Sequence, residues 1–204
     1  MTNSTSVPQG YLLEDFRLFH LNDLNSRTYN FHHHDFLKIM ILLSGNVTYV
    51  VEGRSYPLIP WDIVLVDRGQ VHRPVVDTAQ PYERILLYLS PSFLEKYSTK
   101  EASLTKCFET AQYRHSQVLR LSHETLAPIK VLLQKLEANT SCKNNDFASP
   151  LLAKILCLEF LIELNRITLS PKAGFLTEST LDYRISSLLA YINSHLDEPM
   201  DMAF

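Results

Sequence analysis

The sequence predicts an α+β fold in which a small β barrel is followed by helices. Two observations carry that expectation. Between residues 16 and 90, short apolar runs alternate with turn signals about every ten residues. After residue 90 the apolar spacing becomes helical. The chain has 204 residues, 46% of them hydrophobic and 20% charged, which is a globular composition and enough length for a core.

Residues 1–15 are polar, carry Pro8 and Gly10, and read as an N-terminal arm. The barrel is expected over residues 16–121. Its runs are Leu37 to Leu43, Val47 to Val51, Tyr56 to Ile59, Ile63 to Val66, Val71 to Val76 and Ile85 to Leu89. They are rich in the Val, Ile, Leu and Tyr that suit a pleated surface. Turn residues separate them at Ser44-Gly45-Asn46, Glu52-Gly53-Arg54, Pro60-Trp61-Asp62, Arg68-Gly69 and Gln80-Pro81. Ser90-Pro91 gives a cap followed by Pro at the first helical position, so a short helix should run to Tyr97. Val118 to Leu121 is expected to return to the sheet.

Residues 122–170 are expected to form a helical region. Ser122 caps a helix with Leu126, Ile129, Leu132, Leu133 and Leu136 on one face. Ser149-Pro150 repeats the cap signal and opens a helix ending near Leu169, before Pro171. At 100° per residue, Leu151, Ile155, Leu158 and Ile162 form one apolar face of it. Leu156, Phe160, Leu164 and Ile167 form another, and Glu159, Glu163 and Arg166 stand between the two. A helix apolar on two faces needs two partners. One is the barrel, and the other is a neighbouring helix or a second subunit. Residues 171–180 read as a linker, and a third helix is expected from Leu181 to Leu196.

Charge and cysteine usage exclude several classes. The net charge is −3 and neither half of the chain is basic, so tight binding to DNA phosphates by this chain alone is not expected. Cys107, Cys142 and Cys157 are odd in number and lack metal spacing, which fits a reducing compartment. No basic, apolar leader opens the sequence. The most apolar stretch carries Lys154, Glu159, Glu163 and Arg166, which argues against a membrane span. The expected location is the cytoplasm.

Chemistry concentrates in His32-His33-His34-Asp35 and in Gly69-Gln70-Val71-His72. Strand alternation puts His32 and His34 on one face, where His72 could join them as a three-histidine metal site or as a set of hydrogen-bonding groups. In order, His32-His33-His34-Asp35-Phe36-Leu37-Lys38, Leu43-Ser44-Gly45, Tyr56-Pro57-Leu58, Trp61-Asp62-Ile63-Val64-Leu65-Val66 and Gly69-Gln70-Val71-His72 resemble the double-stranded β-helix, or cupin, of AraC-type transcription regulators. The later helices and Tyr191-Ile192-Asn193-Ser194-His195 fit the same layout. The last of these resembles the opening helix of the family's helix-turn-helix domain.

That resemblance implies an N-terminal cupin-like effector-binding barrel, a helical dimerisation region, and residues 181–204 as the start of a truncated helix-turn-helix DNA-binding domain. It implies a small-molecule effector, a sugar or sugar acid first. The implied binding residues are His32, His34, Lys38, Tyr49, His72, Arg84 and Tyr88. It also implies a homodimer through Leu151, Ile155, Leu158 and Ile162, helped by Leu132 and Leu136, with DNA contacted only through the missing C-terminal domain. Two departures matter. Lys38 stands where the family pattern has Glu, and a protonated lysine offers no lone pair to a metal. No metal, no cofactor and no enzymatic activity are therefore expected, and a stand-alone metal-dependent cupin isomerase or dioxygenase is the alternative. Trp61 replaces the usual Gly, and is expected to cap the barrel. Lys38 and Arg84 in one closed space favour an anionic ligand, unless Lys38 pairs with Asp35 or Asp62.

Overall fold

Alternation along β2 (Leu37–Ser44) divides the fold into an inside and an outside. The computed structural model describes residues 12–24, 29–77, 80–141, 146–176 and 180–181. β2 pairs antiparallel with β5 (Ile63–Val66) and β7 (Tyr82–Leu89). β1 (Phe16–Asp23) lies beside β7, and the two-residue β8 (Val118–Leu119) lies beside β5. This gives a five-stranded sheet in the order β1-β7-β2-β5-β8. A second sheet holds β6 (His72–Val76), β3 (Val47–Val51), β4 (Arg54–Pro57) and β9 (Thr180–Leu181), in that order. The two sheets form the expected cupin-like barrel, and with the helices the fold is α+β.

The sheets enclose Met40, Leu42, Tyr49, Val51, Tyr56, Val64, Val66 and Leu86. The outer face of the five-stranded sheet presents Leu37, Ile39, Ile41, Ile85, Leu87 and Leu89 to the helices. These are α1 (Pro91–Tyr97), α2 (Lys106–Tyr113), α3 (His123–Ser141) and α4 (Ser149–Leu169). Phe93, Phe108, Leu133, Leu136, Phe160 and Leu164 complete this second core. Ser90 caps α1 through its side chain, which accepts from the N–H of Phe93. Gly45, at φ +114°, turns β2 into β3 where a Cβ would meet the carbonyl oxygen of Pro81 at 2.9 Å.

Several expectations are corrected. The residue before α4 is Ala148 in the left-handed conformation, with no side-chain cap, and Ser149 is already helical. Leu132 and Leu136 are buried within the chain and face no partner. Trp61 does not cap the barrel. Its φ is +74°, and its ring packs on the helix side with Lys130 Nζ 4.2 Å from the ring centre. The linker is not free in its described part. Phe175 is buried against the helix-side core, Leu119 bridges to Phe175, and Gly174 O accepts from Arg120 N at 2.8 Å. Leu181 lies in β9 against Arg54 rather than opening a helix. The arm over residues 1–11 and the expected helix beyond Leu181 lie outside the described residues.

Two elements absent from the expected strands and helices also shape the molecule. β1 closes the edge of β7. Helix α2 has no side-chain cap from Thr105. Asn165 of α4 serves instead, its Oδ1 accepting from Cys107 N at 2.7 Å while its amide donates to the carbonyls of Leu104 and Leu161. Asp62, fully buried beside β5, accepts both arms of Arg120 at 2.7 and 2.8 Å and the N–H of Ile59 at 2.9 Å. On α4, Leu151, Ile155 and Ile162 are exposed at 59%, 51% and 42%, while Leu158 is half-buried. Among the described residues no helix is long and apolar enough to cross a membrane.

Candidate functional site

The inward positions of β2, β3, β6 and β7 bring six of the seven expected residues together at one end of the barrel. Alternation puts Lys38 on the inward face of β2 with Met40 and Leu42. Register then sets Lys38 opposite Tyr88, and Leu42 opposite Arg84. Tyr49 enters from β3 and His72 from β6. His34 comes from the loop before β2. His32, the seventh, is held by a backbone bridge to His72 but stays exposed at the mouth.

The three imidazoles converge. His32 and His72 have ring centres 4.3 Å apart, and His34 and His72 4.7 Å. Each ring is fixed by a backbone carbonyl two residues away. His32 Nδ1 lies 2.9 Å from Asn30 O, His34 Nδ1 3.3 Å from Phe36 O, and His72 Nδ1 2.9 Å from Gln70 O. A carbonyl only accepts, so each Nδ1 carries a proton, and in a neutral ring the Nε2 is then the acceptor. Burial first, and the Lys38 charge second, pull His34 down to about 3 and His72 to about 2, so both are neutral at pH 7.

Lys38 is only 6% exposed. Its Nζ lies 3.3 Å from His72 Nε2 and 5.8 Å from the centre of the Tyr49 ring. Neither expected carboxylate takes it: Asp62 holds Arg120, and Asp35 is exposed. Burial, then the nearby Arg84 charge, lowers its amine to about 7. Arg84 is equally buried but has its own partner, Asp23 of β1, at 2.7 Å. Asp23 was missing from the expected site because its pairing depends on β1 lying beside β7. Phe36 was also missing. It stacks on His34 at 4.1 Å and 9°, with Tyr88 4.6 Å beyond. Tyr49 Oη and His34 Nε2 are buried without a hydrogen-bond partner. Burial raises Tyr49 well above the usual phenol range, so its hydroxyl keeps the proton.

One ring nitrogen from each of His32, His34 and His72 lies within 4.8 Å of the others, a spacing able to surround an ion. The rest of the donor set does not fit a divalent metal. No carboxylate joins the group among the described residues, Lys38 takes the His72 lone pair, and Lys38 and Arg84 place positive charge alongside. A separate surface cleft of about 630 Å³, lined by Glu14, Phe16, Arg17, Asn139, Phe147 and Pro150, shares no residue with the barrel end.

Residues 16–161 match the family described as AraC-like ligand binding domain. No curated protein sequence matches the chain. Among solved structures, a Cupin 2 conserved barrel domain protein from Salinispora arenicola CNS-205 is 18% identical with a TM-score of 0.36, covering 44% of this chain and 76% of that one. The DMSP lyase DddQ from Ruegeria pomeroyi DSS-3 is 22% identical with a TM-score of 0.34, covering 38% and 39%. A salicylate 1,2-dioxygenase from Pseudaminobacter salicylatoxidans is 20% identical with a TM-score of 0.34, covering 36% and 22%. Similarity at this level says nothing of chemistry.

Proposed function

The chain belongs to the family of AraC-like ligand-binding domains, and from that premise we propose that it is the effector-sensing and dimerisation region of an AraC-type transcription regulator. One observation carries the reading. An otherwise apolar, buried barrel interior gathers His34, Lys38, Tyr49, His72, Arg84 and Tyr88 at one end, two of them with unpartnered polar atoms. Buried polar atoms without partners are costly, and a polar ligand would satisfy them.

The effector we propose is a sugar or sugar acid. The unpartnered Nε2 of His34 accepts from a hydroxyl, Tyr49 donates, and the faces of Phe36 and Tyr88 suit an apolar sugar face. Arg84 is already neutralised by Asp23, so the case for an anion rests on Lys38 alone. We read His32, His34 and His72 as ligand-binding groups rather than metal ligands, and the chain as non-enzymatic and cytoplasmic. Binding would shift a population of conformers, coupling the barrel to the arm and to the regulator's DNA-binding domain. The exposed face of α4 at Leu151, Ile155 and Ile162, with Leu158 beside it, is proposed as the homodimer seam. The three-histidine group is the observation that favours a metal-dependent cupin enzyme instead, and Lys38 weighs against it.

Calorimetric titration of the chain with neutral sugars, sugar acids and small carboxylates tests the ligand. Binding of one of them, lost in Tyr49→Phe and His34→Ala, is expected. Binding unchanged in both variants would place the ligand elsewhere.

A further inference from the structure

We propose that Lys38 holds the effector covalently and reversibly, as an imine between Nζ and an aldehyde or ketone carbon of the ligand. The inference rests on the barrel end being the ligand site, and it adds the chemical class. The ligand presents a free carbonyl, as the open-chain form of a reducing sugar does.

The geometry is that of a nucleophile rather than of a structural ion. A buried lysine that serves structure has a carboxylate beside it. Among the described residues Lys38 has none, since Asp23 binds Arg84 and Asp62 binds Arg120. Its amine donates instead to the bare Nε2 of His72 at 3.3 Å, a contact that suits a neutral amine as well as a charged one. Pairing of Lys38 with Val66 on one side and Tyr88 on the other fixes the origin of the side chain. Desolvation and a neighbouring cation are the two means by which a lysine becomes a carbonyl nucleophile, and Lys38 has both. The remaining parts are adjacent. His72 Nε2 accepts a hydrogen bond from Nζ and so aims the amine, and the unpartnered Tyr49 hydroxyl can donate to the carbonyl oxygen.

The step balances without any oxidant. The Nζ lone pair forms a bond to the carbonyl carbon, and the C=O π pair moves to oxygen. One amine hydrogen passes to that oxygen, giving a carbinolamine. The C–O bond then breaks, the nitrogen lone pair forms C=N, and the second amine hydrogen leaves with the oxygen as water. Hydrolysis reverses the sequence and frees the effector.

Brief treatment of the full chain with glyceraldehyde and cyanoborohydride at pH 7, followed by peptide mass mapping, tests this. Burial lowers the Lys38 amine, so its reductive labelling should exceed that of exposed Lys100 and Lys172 by at least about tenfold. Tyr49→Phe should slow labelling at Lys38 and leave Lys100 unchanged. Without reductant, glyceraldehyde should raise the melting temperature and glycerol should not. Labelling of Lys38 no faster than Lys100 overturns the imine, because an amine that small aldehydes cannot reach is also closed to an effector. If glycerol and glyceraldehyde then stabilise the protein equally, the imine fails and the ligand site stands. If no sugar stabilises it either, both readings fail.

Discussion

Strand β2 is buried on both faces, and the two faces meet different chemistry. Leu37, Ile39 and Ile41 meet the helices in a core of Leu, Ile and Phe. Lys38, Met40 and Leu42 meet the barrel interior, which is apolar at its floor and polar at one end. The helix side supplies the burial that holds the sheet. The barrel side retains a lysine, an arginine and two histidines whose burial costs stability. One strand thus separates the part of the molecule that keeps the fold from the part that the fold is able to expose to a ligand.

Substitutions on the two sides should therefore differ in kind. The largest effect is expected from Phe160→Ala, which empties a fully buried ring position between α4 and the sheet. It should cost about 3–5 kcal/mol by chemical denaturation, with the ligand selectivity of the remaining folded protein unchanged. Altered selectivity would show that the two sides are not separate.

Lys38→Met sharpens the comparison from the other face. In the fold the amine sits at about 7, below its unfolded value of 10.5, with Arg84, His34, His72, Tyr49 and Tyr88 around it. Between pH 7 and 10.5 the unfolded chain binds more protons there than the folded one, so stability rises with pH across that window. Melting temperatures at pH 7 and pH 9.5 should show Lys38→Met more stable than the parent at pH 7, with the gap narrowing at pH 9.5. A pH-independent gap would mean that Lys38 is charged and paired in the fold.

The smallest stability effect is expected on the outer face of α4. Leu158→Glu with Ile162→Glu changes one half-buried and one exposed position, so the cost should stay within about 1 kcal/mol. Sedimentation should nevertheless report a dimer for the parent and a monomer for the double variant. A dimer untouched by the double change would move the seam to another surface.

The two sides were also unequally legible in the sequence. Period-two alternation groups Lys38, Met40 and Leu42 on one face of β2, and Arg84, Leu86 and Tyr88 on one face of β7, while the resemblance to AraC-type regulators chose those faces as the inward ones. The ends of α1 and the last residue of α4 followed from Pro91, Tyr97 and Pro171. Features fixed by distant partners were not legible. Asp23 meets Arg84 only because β1 lies beside β7. Helix α2 is capped by Asn165, 58 residues away from Cys107. Thr180, read as the end of the linker, and Leu181, read as the start of a helix, take their strand form from β4. Trp61 adopts a glycine-like φ of +74°, a cost its packing on the helix side and against Lys130 offsets.

The central claim is that the polar end of the barrel binds a small effector without a metal. Thermal melting of the chain against sugars, sugar acids and small carboxylates, with and without EDTA, tests it most directly. A ligand that binds only the folded state stabilises it by about 2.7 kcal/mol at a hundred times its Kd, a rise of roughly 5–10 °C for a chain of this size. One compound of the panel should produce that rise, and EDTA should change nothing. A melting temperature that falls in EDTA, with no response to any sugar or acid, would contradict the account and make His32, His34 and His72 a metal centre.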